Sequence, residues 1–196
     1  MPQPPVVSRD QWLQAAIAAL AEGGVAAVRV EVIAARLGVT KGSFYWHFRD
    51  RAALLAGLLA LWEDETVWLV SEASLASTPR ARLVRFFELV AERRDYPPDV
   101  EILAWARHDI DVARRVEATE RRRLDFITGE LRASGFDEAE AARRGRAAYL
   151  ATQGWVEWVS RGMERYDSLP GFTRHLFDLV LTPATPANTA HKGTLP

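Results

Sequence analysis

The chain has 196 residues, of which 48% are hydrophobic and 26% are charged, and its formal net charge at pH 7 is −1. This composition is typical of one globular domain, or of a small module joined to a larger one, and it excludes a wholly disordered or collagen-like chain. The absence of cysteine excludes disulfides, cysteine-ligated metal centres and thiol catalysis. The sequence has no apolar run of about 18 residues that could span a bilayer and no secretory signal at its start, so we expect a cytoplasmic protein.

The basic residues are unevenly distributed along the chain. Residues 36–51 contain four basic residues and one acidic residue, a net charge of +3, so the rest of the chain carries −4. Lysine occurs only at Lys41 and Lys192, and the other 23 of the 25 basic residues are arginine. A small basic N-terminal region on an acidic body indicates a polyanionic partner.

Helix signals follow one another in the N-terminal third, where β-branched residues are scattered and do not alternate. The first predicted helix begins with a capping box formed by Ser8 and Gln11, and Gly23–Gly24 ends it. A second, short helix is broken by Gly38. Caps at Thr40 and Asp50 begin a third helix, which we expect to end near Phe48, and a long fourth one.

The same signals continue to about residue 182. Five further helices are predicted to begin at Thr78–Pro79, near residue 99 after Pro97–Pro98, near Asp109, near residue 138 after Asp137, and near residue 171. Gly135 closes the seventh helix. We therefore expect an all-α fold of about nine helices, followed by a patternless polar tail.

Residues 29–51 have the pattern of a helix-turn-helix. Two short helices are joined by the turn Leu37-Gly38-Val39-Thr40, and this arrangement sets the second helix in the major groove of DNA. On a helical wheel, Phe44 and Phe48 share the face that we expect in the core. The remaining side chains point away from that face or lie at its flanks, namely Gly42, Ser43, Tyr45, Trp46 and His47.

The charges in this segment favour an anionic partner. Lys41 and Arg51 stand at the first positions of the third and fourth helices, where a cation opposes the helix dipole at a cost of roughly 0.3–1 kcal/mol. Bound phosphates would offset that cost, and Gly42 would let the backbone approach a base pair. The alternative is that both cations are only solvated surface charges and that Trp46 is a packing residue.

The run from Ala34 to Phe48, AARLGVTKGSFYWHF, followed by Asp50 and Leu54–Leu55, resembles the N-terminal signature of TetR-family transcriptional regulators. The resemblance is specific over residues 12–59, and the remainder agrees in helix count and order. It implies a flexible arm at 1–7, a helix-turn-helix DNA-binding domain at 8–50, a ligand-binding and dimerisation domain at 51–182, and a disordered tail at 183–196. It also implies a non-enzymatic, homodimeric regulator, most simply a repressor that a small effector releases from a palindromic operator.

The resemblance also assigns DNA contacts residue by residue. Contacts to bases or to the nearby sugar-phosphate are implied for Thr40, Lys41, Gly42, Ser43, Tyr45 and Trp46, and contacts to phosphates for His47 and Arg51. The chain departs from the family where the second helix begins, with Arg29 at the cap position and Glu31 where a basic residue is common. Either Glu31 accepts from a cytosine amino group or Arg29 takes over the contact.

Aromatic residues of the C-terminal region are candidates for an effector pocket, because in TetR-like proteins the cavity lies among the helices after the DNA-binding head. The preferred candidates are Trp62, Phe86, Phe87, Trp105 and Trp155. An aromatic pocket of this kind would suit a small apolar or planar effector. The alternative is that aromatic residues at helical spacing only fill the core.

The eighth and ninth helices are candidates for the dimer interface, from which the family builds a four-helix contact. One face of the eighth helix carries Ala147, Leu150, Ala151, Gly154 and Trp158, and the ninth offers Phe172, Leu176, Phe177, Leu179 and Val180. A palindromic operator requires two heads about 34–36 Å apart. The alternative is that the eighth helix is simply a buried core helix.

Other patterns point to no further chemistry. The four histidines have no metal-site spacing, and we expect no metal, no cofactor and no catalytic residue, since phosphate-binding and nucleophile motifs are absent from the sequence. Arg121–Arg123 is predicted to be a solvated, salt-bridged helix face. The rival functions are a helical enzyme or small-molecule-binding protein without specific DNA binding, and an architectural DNA binder without an effector.

Overall fold

The structure is a computed structural model, and it describes residues 7–92, 98–163 and 169–182. Regular structure within these residues is entirely helical, which confirms the all-α prediction. The helices are α1 (Arg9–Ala27), α2 (Val30–Leu37), α3 (Lys41–Phe44), α4 (Arg51–Ser74), α5 (Pro79–Glu92), α6 (Asp99–Ala106), α7 (Ile110–Ala133), α8 (Glu138–Ser160) and α9 (Leu169–Leu181). The predicted tail at 183–196, and all of the predicted arm except Val7, lie outside the described residues.

The predicted caps fix most of the helix starts. Ser8 Oγ accepts a hydrogen bond from the backbone N–H of Gln11 at 3.2 Å, and the Gln11 side chain accepts one from Ser8 N–H at 2.8 Å. Asp50, Asp109 and Asp137 each accept from backbone N–H groups of the helix that follows. These caps satisfy donors that the first helical turn leaves unpaired, which confirms the predicted starts of α1, α4, α7 and α8.

Glycines produce the predicted breaks. Gly23 and Gly24 leave the helical conformation inside α1, and Gly24 has a φ of 65°, yet helical residues resume up to Ala27. Gly38 ends α2 with a φ of 67°, in the left-handed region that glycine enters without a Cβ clash.

The prediction that the third helix ends near Phe48 is wrong, because α3 comprises only Lys41–Phe44. Beyond Phe44 the chain continues in turns, with bonds such as Trp46 N–H to the Ser43 carbonyl. Thr40 provides no side-chain cap, and Lys41 and Gly42 both disfavour a helix start. A longer helix therefore gains too little local stabilisation.

Two main hydrophobic clusters form the interior. The first joins α1, α2 and α3 to the first half of α4, and it also contains Ile102 of α6 and Val112 and Val116 of α7. The second joins the rest of α4 to α5, α7, α8 and α9. Helix α4 belongs to both clusters, and α1 approaches it closely, since a Cβ on Gly57 would lie 3.0 Å from Leu13 Cδ2. The N-terminal helices therefore share a core with α6.

Candidate functional site

The turn after α2 presents aromatic and polar side chains to solvent. Trp46 is 88% exposed and Tyr45 57% exposed, and Thr40, Lys41 and Gly42 are exposed as well. Ser43 and His47 are half-buried. The predicted contact residues therefore form one continuous surface, which we call the recognition surface, residues 40–47.

Phe44 and Phe48 support this surface from below, as predicted. Both are buried, and their rings stack with centroids 5.4 Å apart. Phe44 also meets Trp12 of α1 edge to face at 5.3 Å. An exposed tryptophan on a rigidly held turn contributes nothing to this core, so its surface is available to a partner.

Lys41 forms an ion pair with Glu31, the acidic residue that stands where a basic one is common in the family pattern. Lys41 Nζ lies 2.5 Å from Glu31 Oε1, and both side chains are exposed. The hydrogen bond from Lys41 lowers the pKa of Glu31, because it favours the ionised carboxylate. Helical spacing gives no sign of this pair, because its members lie ten residues apart on two helices.

Arg29 and Arg51 flank the recognition surface and differ in the hydrogen bonds of their side chains. Arg29 is exposed at the N-cap of α2 and makes no side-chain cap bond. Arg51 Nε donates to the Val28 carbonyl at 2.6 Å, and its Nη2 donates to the Val25 carbonyl. Arg51 thus ties the start of α4 to the end of α1, and a phosphate contact would have to use the remaining donors of its guanidinium.

A small enclosed cavity lies between α4, α5, α6, α7 and α8. Its volume is about 30 Å³, far below the roughly 300–1,000 Å³ of a typical ligand pocket. Phe86 and Phe87 line it, together with Leu69, Val90, Asp99, Arg123, Tyr149, Thr152, Gln153 and Val156. A ligand can enter only if these helices move apart.

The five predicted aromatic candidates do not surround one cavity. Phe86 and Phe87 line the enclosed one, whereas Trp62 and Trp105 pack in the first hydrophobic cluster. Trp155 stacks on Phe172 with ring centroids 6.3 Å apart. Trp62 lies beside one residue of the cavity wall, since its ring centroid is 5.3 Å from the Arg123 guanidinium carbon.

The prediction of a solvated face at Arg121–Arg123 is wrong for Arg123. Arg121 and Arg122 are exposed, but the Arg123 side chain is only 8% exposed and pairs with Asp99, at 2.7 Å between Nη1 and Oδ1. Burial disfavours the charged form of Arg123, yet Asp99 and Tyr149 outweigh it and raise the pKa of Arg123.

The signal for this burial was present in the sequence. Arg123 lies four residues from Thr119 and four from Ile127, on the buried stripe of α7. A cation on such a stripe must find a buried partner.

The predicted assembly face of α8 is largely bare in the single chain. Ala147, Leu150, Gly154 and Trp158 are exposed, and a Cβ on Gly154 would meet nothing within 4 Å. Helix α9 differs from expectation, because Leu176, Phe177 and Val180 are buried against the second cluster. Among the residues of α9 whose burial is described, 171–181, Leu179 is the exposed large apolar side chain.

The described residues form neither a group of metal ligands nor a membrane-spanning helix. Within them no three histidine or carboxylate side chains are grouped as metal ligands. None of their helices combines the length and apolar character of a membrane span.

Comparisons with known proteins agree with these features. Residues 13–58 match the family model described as bacterial regulatory proteins, tetR family. A comparison with curated proteins gave no significant match.

Solved structures resemble the chain over most of its length. A TetR transcriptional regulator from Legionella pneumophila has a TM-score of 0.77 at 14% identity, covering 90% of this chain and 98% of its own. A TetR-family regulator from Streptomyces coelicolor has a TM-score of 0.75 at 18% identity, covering 88% and 93%. The regulator FadR from Bacillus subtilis, solved with stearoyl-CoA, has a TM-score of 0.65 at 17% identity, covering 89% and 98%. The TM-scores of 0.65–0.77 show a common fold.

Proposed function

We propose that the chain is a member of the tetR family of bacterial regulatory proteins, whose model matches residues 13–58, and that it is a homodimeric repressor released from a palindromic operator by a small effector. The observation that carries the proposal is the recognition surface, where Trp46 and Tyr45 are exposed beside Lys41 on a buried aromatic support. The proposal involves no cofactor or catalytic step, and it places the protein in the cytoplasm with its DNA.

The proposed DNA contacts follow from exposure and chemistry. Lys41, Tyr45 and Trp46 are exposed and have long or aromatic side chains, so we assign them to base edges and adjacent sugar-phosphate, with Thr40, Gly42 and Ser43 lying against the DNA backbone. His47, Arg29 and Arg51 flank the surface and are assigned to phosphates. Arg51 reaches a phosphate only while keeping, or exchanging, its bonds to the Val25 and Val28 carbonyls.

The proposed route of regulation runs along two helices. Helix α4 begins beside the recognition surface and reaches the cavity at Leu69, while α6 reaches it at Asp99 and enters the first cluster at Ile102. A ligand that opens the cavity must displace these helices and hence the heads of the dimer. The effector releases DNA only if it binds the displaced state more tightly.

The first experiment is selection of the purified chain against a random duplex DNA pool at near-physiological salt, where non-specific phosphate binding is weak. The expected result is a palindrome with half-sites one helical turn apart. An architectural DNA binder would recover no preferred sequence, and an enzyme or carrier would recover no DNA. Either of these results would overturn the proposal.

Replacing Trp46 with alanine should weaken binding to the selected palindrome by about 10- to 100-fold, the range expected for one base-reading contact. The melting temperature should change little, because Trp46 is almost wholly exposed. Fluorescence anisotropy with labelled operator measures the first effect and calorimetry the second. Trp68→Ala is the matched control, since Trp68 is an exposed tryptophan on α4 and should leave DNA affinity unchanged.

Replacing Glu31 with glutamine decides between the two roles left open for this residue. The change removes a negative charge next to the DNA and frees Lys41, so binding should strengthen several-fold and become more salt-dependent. If Glu31 instead accepts from a cytosine amino group, affinity should fall at one base position only. The measurement is operator affinity over a salt series, for the selected sequence and its single-base variants.

A further inference from the structure

A buried ion pair stands in the wall of the enclosed cavity, away from the recognition surface. Arg123 of α7 and Asp99 of α6 both line the cavity, and their side chains are 8% and 7% exposed. Apolar side chains make up much of the remaining wall, among them Leu69, Phe86 and Val156.

Stability is a weak explanation for this pair. Moving two charges out of water carries a desolvation penalty that their attraction only roughly offsets, and apolar side chains of similar volume often serve a fold as well or better. A cation held in an apolar wall is, in contrast, a strong anchor for an anion that enters the cavity, because charge-assisted hydrogen bonds strengthen where water is excluded.

The guanidinium of Arg123 is oriented by its surroundings. Its Nε donates to Thr66 Oγ1 at 3.0 Å, its Nη1 donates to Asp99, and its carbon lies 5.3 Å from the ring centroid of Trp62. The Trp62 indole N–H is itself buried and has no acceptor among the described residues. A planar fork fixed in this way matches a carboxylate or a phosphate, and Asp99 occupies the place such a group would take.

We propose that the effector is an amphipathic anion, an apolar body bearing one carboxylate or phosphate group, which displaces Asp99 from Arg123. The inference rests on the proposed ligand-released repressor and deepens it by naming the class of effector. The apolar body lies against Phe86, Phe87 and their neighbours after α5 and α8 separate.

The exchange also explains how binding reaches the DNA-binding helices. Asp99 is the first residue of α6, and Ile102, one turn later, is fully buried in the cluster that holds Trp12 and Phe44. Displacing Asp99 from Arg123 removes one contact that holds the start of α6, so the packing of Ile102 within this cluster changes with it.

The test uses the full chain and three probes of equal chain length: octanoate, octyl phosphate and 1-octanol. Titration calorimetry, checked by tryptophan fluorescence, should give at least one anion a dissociation constant about tenfold or more below that of the alcohol. The tighter of the two anions identifies the acid group. Equal affinity for all three probes, or binding of none, overturns the inference.

Variants test whether the preference for anions depends on the ion pair of Arg123 and Asp99. Asp99→Asn removes the competing carboxylate and should tighten octanoate or octyl phosphate binding several-fold. Because that variant leaves Arg123 without its full counter-charge, the double variant Asp99→Leu, Arg123→Met replaces both charges by apolar groups that a buried site tolerates. It should bind the anions no better than the alcohol, and retention of the preference overturns the inference. Arg122→Met, an exposed neighbour on α7, is the matched control and should keep the preference.

The two proposals fail separately. A chain that selects no specific DNA but prefers anions through Arg123 overturns the repressor and supports the anion site. A chain that selects a palindrome but shows no preference for anions overturns the anion site alone.

Discussion

Replacing Leu150 and Trp158 with glutamate should convert the protein to a monomer and lower its affinity for the palindromic operator by about 10²- to 10⁴-fold. Both side chains are more than half exposed on the face of α8 that also carries Ala147 and Gly154. Four glutamates around a two-fold axis would bring like charges together in a desolvated contact. The loss on DNA follows because two linked heads gain effective concentration that one head lacks.

Mass by light scattering measures the assembly, and anisotropy with full and half operators measures the DNA effect. Affinity for a single half-site should be unchanged, since the recognition surface is untouched. Ile110→Glu is the matched control, because Ile110 is an exposed apolar residue at the start of α7, outside the predicted interface. If the double variant remains a dimer, α8 does not form the dimer interface.

The dimer prediction depends on an exposed apolar face, which the sequence predicted more accurately for α8 than for α9. Small and apolar residues at helical spacing on α8 are exposed, which is the condition for an interface. On α9 the same kind of pattern is used by the chain's own core, where Phe177 meets Phe87 with ring centroids 4.9 Å apart. Periodicity identifies an apolar face but does not tell whether a neighbouring helix or a second copy covers it.

Local chemistry explains why the helix starts were predictable. A cap such as Asp50 or Asp137 is satisfied by backbone groups within three residues, so the sequence alone contains both partners. The recognition surface was predictable for a related reason, since its exposed and buried sides follow from one helical turn around Phe44.

Long-range pairing explains what was missed. Arg123 meets Thr66 and Asp99, which are 57 and 24 residues away, and no spacing rule connects them. The same holds for Glu31 with Lys41 across the turn, and for the separation of Trp62, Trp155 and Phe87 into three clusters. These features arise only when helices pack, which is the step that composition and periodicity do not describe.

Replacing Phe44 with alanine should have the largest effect on the head itself. Phe44 is fully buried and contacts the rings of Trp12, Tyr45 and Phe48 at 5.3–5.4 Å. Truncating such a phenylalanine typically lowers the free energy of unfolding by about 3–5 kcal/mol, a large share of the roughly 5–15 kcal/mol that stabilises a typical domain. Because this ring supports the recognition surface, operator binding should be lost even at temperatures where most of the chain stays folded.

The control is the same substitution in the second cluster. Phe87→Ala removes an equally buried ring, in contact with Phe86 and Phe177, and should cost a similar unfolding free energy. Well below its melting temperature, however, that variant should keep its affinity for the operator, because the recognition surface still rests on Phe44. Urea unfolding gives both stabilities, and anisotropy at low temperature gives both affinities. If the two variants lose DNA binding equally at matched stability, the two clusters unfold as one unit and Phe44 has no separate role in presenting the recognition surface.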